Sequence, residues 1–122
     1  MRILVVEDNV EISEAMGFFC SARKDIDCQV INTGQEGLNR IRAENFDLIL
    51  LDLAMPDFSG LDIINSLKQD GLIESRNIVI FTASSNQDVL NEIRKSGAKD
   101  IFKKPFSLDG LIALIEKYRP TT

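Results

Sequence analysis

Short apolar runs alternate with amphipathic stretches along the whole chain, and this alternation restricts the fold more than any other feature. Three of the runs are apolar almost throughout, which is typical of strands buried on both faces: Ile3–Val6, Phe46–Leu51 and Asn77–Phe81. Two shorter runs, Cys28–Ile31 and Asp100–Phe102, are weaker strand candidates. The sequence therefore predicts five strands.

Between these runs, apolar residues recur at the spacing of an amphipathic helix. The predicted stripes are Ile12, Ala15, Met16 and Phe19; Leu38 and Ile41 within Gly34–Glu44; Leu61, Ile64 and Leu67; Val89, Leu90 and Ile93; and Leu108, Leu111, Ile112 and Ile115. Gly71 and Gly97 follow the third and fourth stripes as stop signals. Ser107 is a candidate N-cap for the last helix, and either Asp8 or Asn9 for the first.

Strands and helices in alternation, joined by short connections, predict a parallel sheet with helices on both faces. Five strand–helix units in 122 residues suit an α/β fold of the flavodoxin-like, doubly wound (βα)5 type, with strand order 2-1-3-4-5. We expect a single domain over residues 1–122. In such sheets ligands bind at the carboxyl ends of the strands, which is where chemistry is to be sought.

Composition excludes several classes of function. The net charge of −5 argues against direct nucleic-acid binding, which needs a basic patch. The chain has no histidine, so Cys/His zinc sites and histidine-based triads are excluded, and two cysteines are too few for a disulfide scaffold. No apolar run approaches the roughly 20 residues of a membrane span, and the N-terminus does not look like a signal peptide. We expect a cytoplasmic protein without membrane contact.

Charged and hydroxyl residues stand where the predicted strands end. Glu7 and Asp8 follow the first strand, Asp52 the third, Thr82 the fourth, and Lys104 lies near the end of the fifth. Carboxylates gathered at one sheet edge repel one another unless a cation neutralises them, and an all-oxygen site with open positions suits Mg²⁺.

A hydroxyl and an ammonium beside that metal suit a bound phosphoryl group. Thr82 can donate a hydrogen bond to a phosphoryl oxygen, and Lys104 can pair with an anionic one. Asp52, alone on its strand, is then the candidate nucleophile that forms an acyl phosphate.

With these motifs the chain resembles the receiver domains of response regulators. The matching segments, in chain order, are Val5-Val6-Glu7-Asp8-Asn9, Asp52-Leu53-Ala54-Met55-Pro56 with Gly60, Phe81-Thr82-Ala83, Gly97-Ala98, and Lys104-Pro105-Phe106. One such fragment would be weak, but several in the right order on the right elements are a specific signal. The resemblance covers essentially the whole chain.

The resemblance implies a role for each site residue. Asp52 would be the phosphoacceptor, and Thr82 and Lys104 would bind the phosphoryl oxygens. Mg²⁺ would be held by Glu7, Asp8, Asp52 and the backbone carbonyl of Ala54. It also implies a cis bond between Lys104 and Pro105.

The resemblance further implies the partners of a two-component switch. The donor would be a phosphohistidine on a histidine kinase or a phosphotransfer protein, or a small acyl phosphate. The phosphorylated form would act through the face of helix 4, strand 5 and helix 5 on a downstream protein or output domain. Such a chain is not an enzyme beyond its own phosphorylation and dephosphorylation.

Three positions bear on how such a switch would behave. The family usually has an aromatic residue three positions before the lysine; here Ile101 stands there, and Phe102 points to the opposite face. Ala54 and Ser84 occupy positions that influence attack by water on the phosphoryl group. Phe18 lies off the first helical stripe, and we expect it to pack against the last helix near Leu114 or Tyr118, with donor docking as the alternative. The roles of positions 54, 84 and 101 are what the resemblance implies, whereas the packing expectation for Phe18 follows from its place off the helical stripe.

Three other functions are compatible with parts of the pattern. A flavodoxin shares the fold, but Glu7-Asp8 would repel the phosphate of its cofactor. A small Mg²⁺ phosphatase with an Asp nucleophile places two acids two residues apart after the first strand, whereas Glu7 and Asp8 are adjacent. A degenerate receiver that acts only as an interaction module would lack some of the phosphorylation residues.

Overall fold

A computed structural model of the chain describes residues 1–120. Within these residues it shows one five-stranded sheet and five α-helices. The strands are β1 Arg2–Val6, β2 Asp27–Ile31, β3 Leu48–Asp52, β4 Ile78–Thr82 and β5 Asp100–Lys103. The helices are α1 Val10–Ser21, α2 Gly34–Ala43, α3 Gly60–Gln69, α4 Gln87–Ser96 and α5 Leu108–Lys117, with a single 3-10 turn at Ile73–Ser75. The domain was predicted to extend over residues 1–122, and Thr121 and Thr122 lie outside the described residues.

All neighbouring strands are parallel, and their order is β2-β1-β3-β4-β5. The predicted flavodoxin-like, doubly wound fold is therefore confirmed. The three central strands are buried along almost their whole length, which explains why their sequences read as continuous apolar runs. None of the helices formed by residues 1–120 combines the length and the apolar character that crossing a membrane requires.

The sheet separates two apolar cores, because successive strand residues point to opposite faces. Leu4 and Val6 of β1 belong to the core under α2, α3 and α4. Ile3 and Val5 belong to the core under α1 and α5. The helices thus cover both faces and leave the ends of the strands open to ligands.

The predicted bounds of all five strands are wrong by one or two residues at one end or at both, and the largest difference is at the start of β3. Phe46 and Asp47 precede β3 instead of beginning it, because the Asp47 carboxylate turns back to accept a hydrogen bond from the Arg2 amide at 2.7 Å. β4 begins at Ile78 and extends to Thr82, which places the Thr82 hydroxyl on the last residue of a strand.

Two predicted helix stripes are also partly wrong. In α1 the buried residues are Ser13, Met16 and Cys20, whereas Ala15 is exposed. The Ser13 hydroxyl is accommodated because it donates a 2.9 Å hydrogen bond to the Glu7 carbonyl.

In α5 Leu111 and Ile115 are buried as predicted, but Leu108, at the first position of the helix, is exposed, and Leu114, which the predicted stripe left out, is buried. The predicted helix ends are confirmed. Gly97 adopts the left-handed conformation with φ of 105°, and Ser107 accepts from the Gly110 amide. Asn9, and not Asp8, caps α1 by accepting from the Ile12 amide. The Asp8 side chain is thereby left for the site at the sheet edge.

Candidate functional site

Three carboxylates meet at the carboxyl end of the sheet. Glu7, Asp8 and Asp52 each offer an oxygen atom, and these oxygens lie within 4.8 Å of one another. Glu7 is completely buried and Asp52 is 4% exposed, while Asp8 is more open to solvent. The structure thus brings together the three acids that the strand ends predicted.

Lys104 joins two of these carboxylates. Its Nζ lies 2.7 Å from Glu7 Oε1 and 3.1 Å from Asp52 Oδ1. The same ammonium lies 4.8 Å from the centre of the Phe81 ring, and the Lys104 amide donates to the Thr82 carbonyl at 2.9 Å. The bond between Lys104 and Pro105 is cis, as the resemblance implied.

Burial and mutual repulsion perturb the charges of the cluster. Burial, followed by contact with Asp52, raises the pKa of Glu7 to about 7 against the opposing effect of Lys104. Burial and Asp52 also raise the pKa of Asp8. Burial disfavours the Lys104 ammonium, but Glu7 and Asp52 together keep its pKa above the ordinary value. One lysine therefore faces three acids, and the site favours an additional cation.

One oxygen of the cluster lacks a partner. Glu7 Oε2 is buried and makes no hydrogen bond with residues 1–120. A buried oxygen without a partner is costly, and a cation or a proton would satisfy it. The orphan oxygen, beside two more carboxylates, gives the site the hard oxygen ligands that Mg²⁺ prefers.

Two residues that sequence reasoning missed hold Glu7 in place. The Glu7 carbonyl accepts hydrogen bonds from Ser13 Oγ at 2.9 Å and from Asn32 Nδ2 at 3.0 Å. Asn32 also donates to Ser13 Oγ at 3.1 Å. Ser13 could have been suspected only as a small polar residue on the buried side of an amphipathic helix; nothing in the local sequence marks Asn32.

The loop after Asp52 packs closely against the end of β3. The Ala54 amide donates to Asp52 Oδ1 at 3.3 Å. A Cβ atom at Gly60 would lie 2.6 Å from the Asp52 carbonyl oxygen, so only glycine allows this close approach. The Asp57 carboxylate accepts from the Gly34 and Gln35 amides and so anchors the loop to α2.

An open cavity of about 470 Å³ connects the remaining site residues. The predicted residues that line it are Asp8, Asp52, Ala54, Thr82 and Lys104; Glu7 does not line it. The Thr82 hydroxyl accepts from the Ser84 amide at 3.1 Å, so its own proton remains available for a further acceptor. Carboxylates, a hydroxyl donor and an ammonium thus surround a space that can take a small anionic group.

Ile101 and its neighbour Phe102 face opposite cores. Ile101 is partly buried against the core that contains α4. Phe102 packs against the rings of Phe81 and Phe106, with centroid distances of 5.5 Å and 5.8 Å, and those two rings also contact each other. Phe102 therefore packs against the core of α1 and α5, and it does not take the place of the aromatic residue that the family usually has at the position of Ile101.

Phe18 does not pack as expected. Its side chain is 79% exposed, and neither Leu114 nor Tyr118 covers it. Instead it lines an apolar groove of about 590 Å³ between α1 and the start of α5, together with Phe106, Leu108 and Leu111. The packing expectation is wrong because α1 is rotated so that Met16 and Cys20 face the core.

Comparisons with known proteins agree on one family. The family model described as the response regulator receiver domain matches residues 3–116. Among relatives, the transcriptional regulatory protein DltR of Streptococcus agalactiae is 36% identical over 115 residues, 94% of this chain and 50% of the relative. The transcriptional regulatory protein CrdR of Helicobacter pylori is 32% identical over 118 residues, 96% of this chain and 54% of the relative. The chain spans about half the length of these two relatives.

Solved structures show the same architecture. The receiver domain of the Francisella response regulator 1452 is 28% identical, with a TM-score of 0.85 over 96% of this chain and 94% of that one. The BeF3-activated DrrB receiver domain is 25% identical, with a TM-score of 0.81 over 96% and 95% of the two chains. Each likeness covers almost the whole of this chain.

Proposed function

The chain belongs to the response regulator receiver domain family, the phosphoacceptor switches of two-component systems, and we propose that its own phosphoacceptor is Asp52 and that Mg²⁺ is required for phosphorylation. The observation that carries this proposal is the contact of one ammonium, Lys104 Nζ, with both Glu7 and Asp52 inside a cluster of three carboxylates. The residue types and their positions at the strand ends match the family motifs one by one.

The donor set fits Mg²⁺. The residues that would hold the ion are the carboxylates of Glu7, Asp8 and Asp52 and the backbone carbonyl of Ala54. The orphaned Oε2 of Glu7 supports this assignment, because it is a buried oxygen without a hydrogen-bond partner among residues 1–120. When bound, the ion would offset the repulsion between the carboxylates and the incoming phosphoryl oxygens.

The chain's own residues account for the transfer step. A carboxylate oxygen of Asp52 forms the new bond to phosphorus while the bond from phosphorus to the donor breaks. Lys104 and the Ala54 amide hold Asp52 Oδ1 and fix the orientation of the carboxylate. The Thr82 hydroxyl donates to one phosphoryl oxygen, and Lys104 pairs with another.

The partners follow from the same proposal. The donor is a histidine kinase or a phosphotransfer protein, and a small acyl phosphate can replace it. We assign donor docking to the apolar groove beside Phe18, because a smaller groove shares Phe106 with it and is lined by Lys104 of the carboxylate site. The output is a downstream protein or an output domain, reached through the face of α4, β5 and α5. Residues 1–122 act as one cytoplasmic domain without direct contact to nucleic acid or membrane.

The test is phosphorylation by acetyl phosphate. Incubation with Mg²⁺ should add the mass of one phosphoryl group to the intact protein, and chelation of the metal should prevent it. Asp52→Asn should abolish the gain, whereas Asp109→Asn should leave it unchanged, because Asp109 is an exposed acid of α5 that forms no ion pair with residues 1–120. Release of many equivalents of free phosphate would indicate a phosphatase instead, and a gain that persists in Asp52→Asn would contradict the assignment.

A further inference from the structure

Glu7 and Asp8, two of the three carboxylates in the cluster, are consecutive residues and share one peptide group. A peptide group is planar, so the Glu7 carbonyl lies in one plane with the Cα atoms of both residues. A group that holds this carbonyl therefore constrains the points from which both carboxylates project. One peptide group thus controls the geometry of the acidic pair.

The main chain at Glu7 is held at both of its polar groups. The Glu7 amide donates a 2.9 Å hydrogen bond to the carbonyl of Ile31, the last residue of β2. The Glu7 carbonyl accepts from Asn32 Nδ2 at 3.0 Å and from Ser13 Oγ at 2.9 Å. Asn32 directly follows Ile31, so two consecutive residues at the end of β2 hold the amide and the carbonyl of Glu7.

Ser13, Asn32 and the Glu7 carbonyl form a closed triangle of hydrogen bonds. Asn32 Nδ2 also donates to Ser13 Oγ at 3.1 Å, while the Ser13 hydroxyl uses its own proton for the Glu7 carbonyl. Ser13 is buried in α1, whereas Asn32 is exposed just beyond β2. The residue after β1, the residue after β2 and a residue of α1 therefore meet at one carbonyl oxygen.

The acidic pair needs such an anchor because its charges oppose one another. Glu7, Asp8 and Asp52 offer oxygens within 4.8 Å, and like charges so close together favour conformations that separate them. Rotation of the peptide group between Glu7 and Asp8 would separate the carboxylates, but it would also break both hydrogen bonds to the carbonyl. Within residues 1–120, the Asn32 amide donates only to this carbonyl and to Ser13, so it acts on the main chain and not on a carboxylate.

We propose that Asn32 and Ser13 are positioning residues, which hold the peptide group between Glu7 and Asp8 so that both carboxylates are preset to bind Mg²⁺. The inference rests on the proposed function, because it takes the carboxylate cluster as the Mg²⁺ site. Groups that orient metal ligands affect metal affinity strongly without touching the metal. The alternative is a purely structural role, in which the two side chains stabilise the fold and leave Mg²⁺ affinity unchanged.

The experiment compares two asparagines that make the same bond at opposite ends of the sheet. Asn77, directly before β4, donates from Nδ2 to the Asp47 carbonyl at 3.0 Å, as Asn32 does to the Glu7 carbonyl. Calorimetric titration with Mg²⁺ alone gives the Kd of the full chain, and thermal unfolding with a chelator gives its stability. We expect Asn32→Ala to raise the Kd by about tenfold and Asn77→Ala to leave it unchanged. Both variants should lower the unfolding temperature to a similar extent, because each loses an amide-to-carbonyl hydrogen bond.

The Mg²⁺ dependence of phosphorylation by acetyl phosphate is the second measurement. For Asn32→Ala, a higher Mg²⁺ concentration should be needed for half of the maximal rate, while the maximal rate stays close to that of the wild type. Ser13→Ala should shift the Mg²⁺ dependence in the same direction. The shift in the double variant should be smaller than the two single shifts combined, because both residues act on the same carbonyl.

The outcomes separate this inference from the proposed function. A Kd that is unchanged in Asn32→Ala, or raised equally in Asn77→Ala, would overturn the positioning role even though the wild type is phosphorylated normally. If the Kd values differ as expected but the wild type gains no phosphoryl group, the positioning role stands and the phosphoacceptor assignment of Asp52 fails. A wild type that does not bind Mg²⁺ would overturn both.

Discussion

The Lys103 ammonium lies 2.5 Å from the backbone carbonyl of Ser84 and so connects the end of β5 to the loop that follows β4. The same Ser84 donates its amide to Thr82 Oγ1, and its hydroxyl accepts from the Asn86 amide. Asn86 in turn caps α4 by accepting from the amides of Asp88 and Val89. A short chain of hydrogen bonds therefore runs from the Thr82 hydroxyl to the first turn of α4.

Removal of Asp8 should separate metal binding from folding. We expect Asp8→Ala to abolish Mg²⁺ binding and phosphorylation, because it removes a carboxylate of the cluster. The fold should remain intact or become more stable without metal, since the change relieves repulsion with Asp52. Calorimetric titration and thermal unfolding measure the two effects, with Asp109→Asn as the control. Unchanged Mg²⁺ affinity in Asp8→Ala would remove Asp8 from the site.

Glu7 should make the stability of the metal-free protein depend on pH. Its pKa is raised from 4.5 to about 7, so the folded protein holds this proton more tightly than the unfolded chain does. The free energy of unfolding should therefore be highest below pH 4.5, as far as this group is concerned, and fall as the pH rises toward 7. The loss is on the order of 3 kcal/mol.

The variant Glu7→Gln checks the origin of this dependence. It cannot ionise, so the fall in stability between about pH 5 and 7 should disappear from its urea unfolding curves in the presence of a chelator. Saturating Mg²⁺ should reverse the trend in the wild type, because the ion binds the deprotonated carboxylate. The same slope in the variant and the wild type would assign the pH dependence to another group.

The architecture could be predicted from the sequence because its signals are local. The three central strands are buried on both sides, so each has a continuous apolar sequence. Gly97 predicts the end of α4, because glycine readily adopts the left-handed conformation found there. The parallel arrangement then determines which strand ends meet, and Glu7, Asp8 and Asp52 come together at one edge. The start of β3 at Leu48 could not be predicted, because it depends on the contact between the Asp47 carboxylate and the Arg2 amide.

Contacts between distant elements could not be predicted. Asn32 supports Glu7 from 25 positions further along the chain, and no local pattern encodes that hydrogen bond. Phe18 is exposed because α1 turns Ser13, Met16 and Cys20 toward the core, and the inward orientation of Ser13 is accommodated by a hydrogen bond to the distant Glu7 carbonyl. Such features arise from tertiary packing and become visible only in the assembled fold.

The lifetime of the phosphorylated form should depend on residues 54 and 84. Both line the cavity around Asp52; the Ala54 methyl cannot orient a water molecule for attack on the phosphoryl group, and the Ser84 side chain is short. We predict slow loss of the phosphoryl group in the wild type and a several-fold change in rate, toward faster loss, in Ala54→Asn. Decay of purified phosphorylated protein can be followed by intact mass. Unchanged decay in both Ala54→Asn and Ser84→Glu would contradict this prediction.

Phe18 should matter for the donor and not for the fold. Because its side chain is 79% exposed, Phe18→Ser should change the free energy of unfolding by no more than about 0.5 kcal/mol. Transfer from the cognate histidine kinase should slow markedly, since the variant loses apolar area in the groove beside α5. Acetyl phosphate serves as the control, because it needs no docking surface. Equal slowing with both donors would place the effect at the carboxylate site, and unchanged transfer from the kinase would exclude docking at Phe18.

Activation should be transmitted through the loop of residues 83–88 with little rotation at Ile101. A β-branched side chain has few rotamers, and Ile101 is partly held by the core beside α4. Thr82 gains a charge-assisted hydrogen bond only in the phosphorylated state, and its movement would pull on the Ser84 amide and, through Asn86, on the start of α4. We therefore expect Ile101→Ala to weaken binding of the output partner less than Thr82→Ala does. Paired structures with and without beryllofluoride test the route directly, and a large rotamer change at Ile101 beside an unchanged loop of residues 83–88 would refute it.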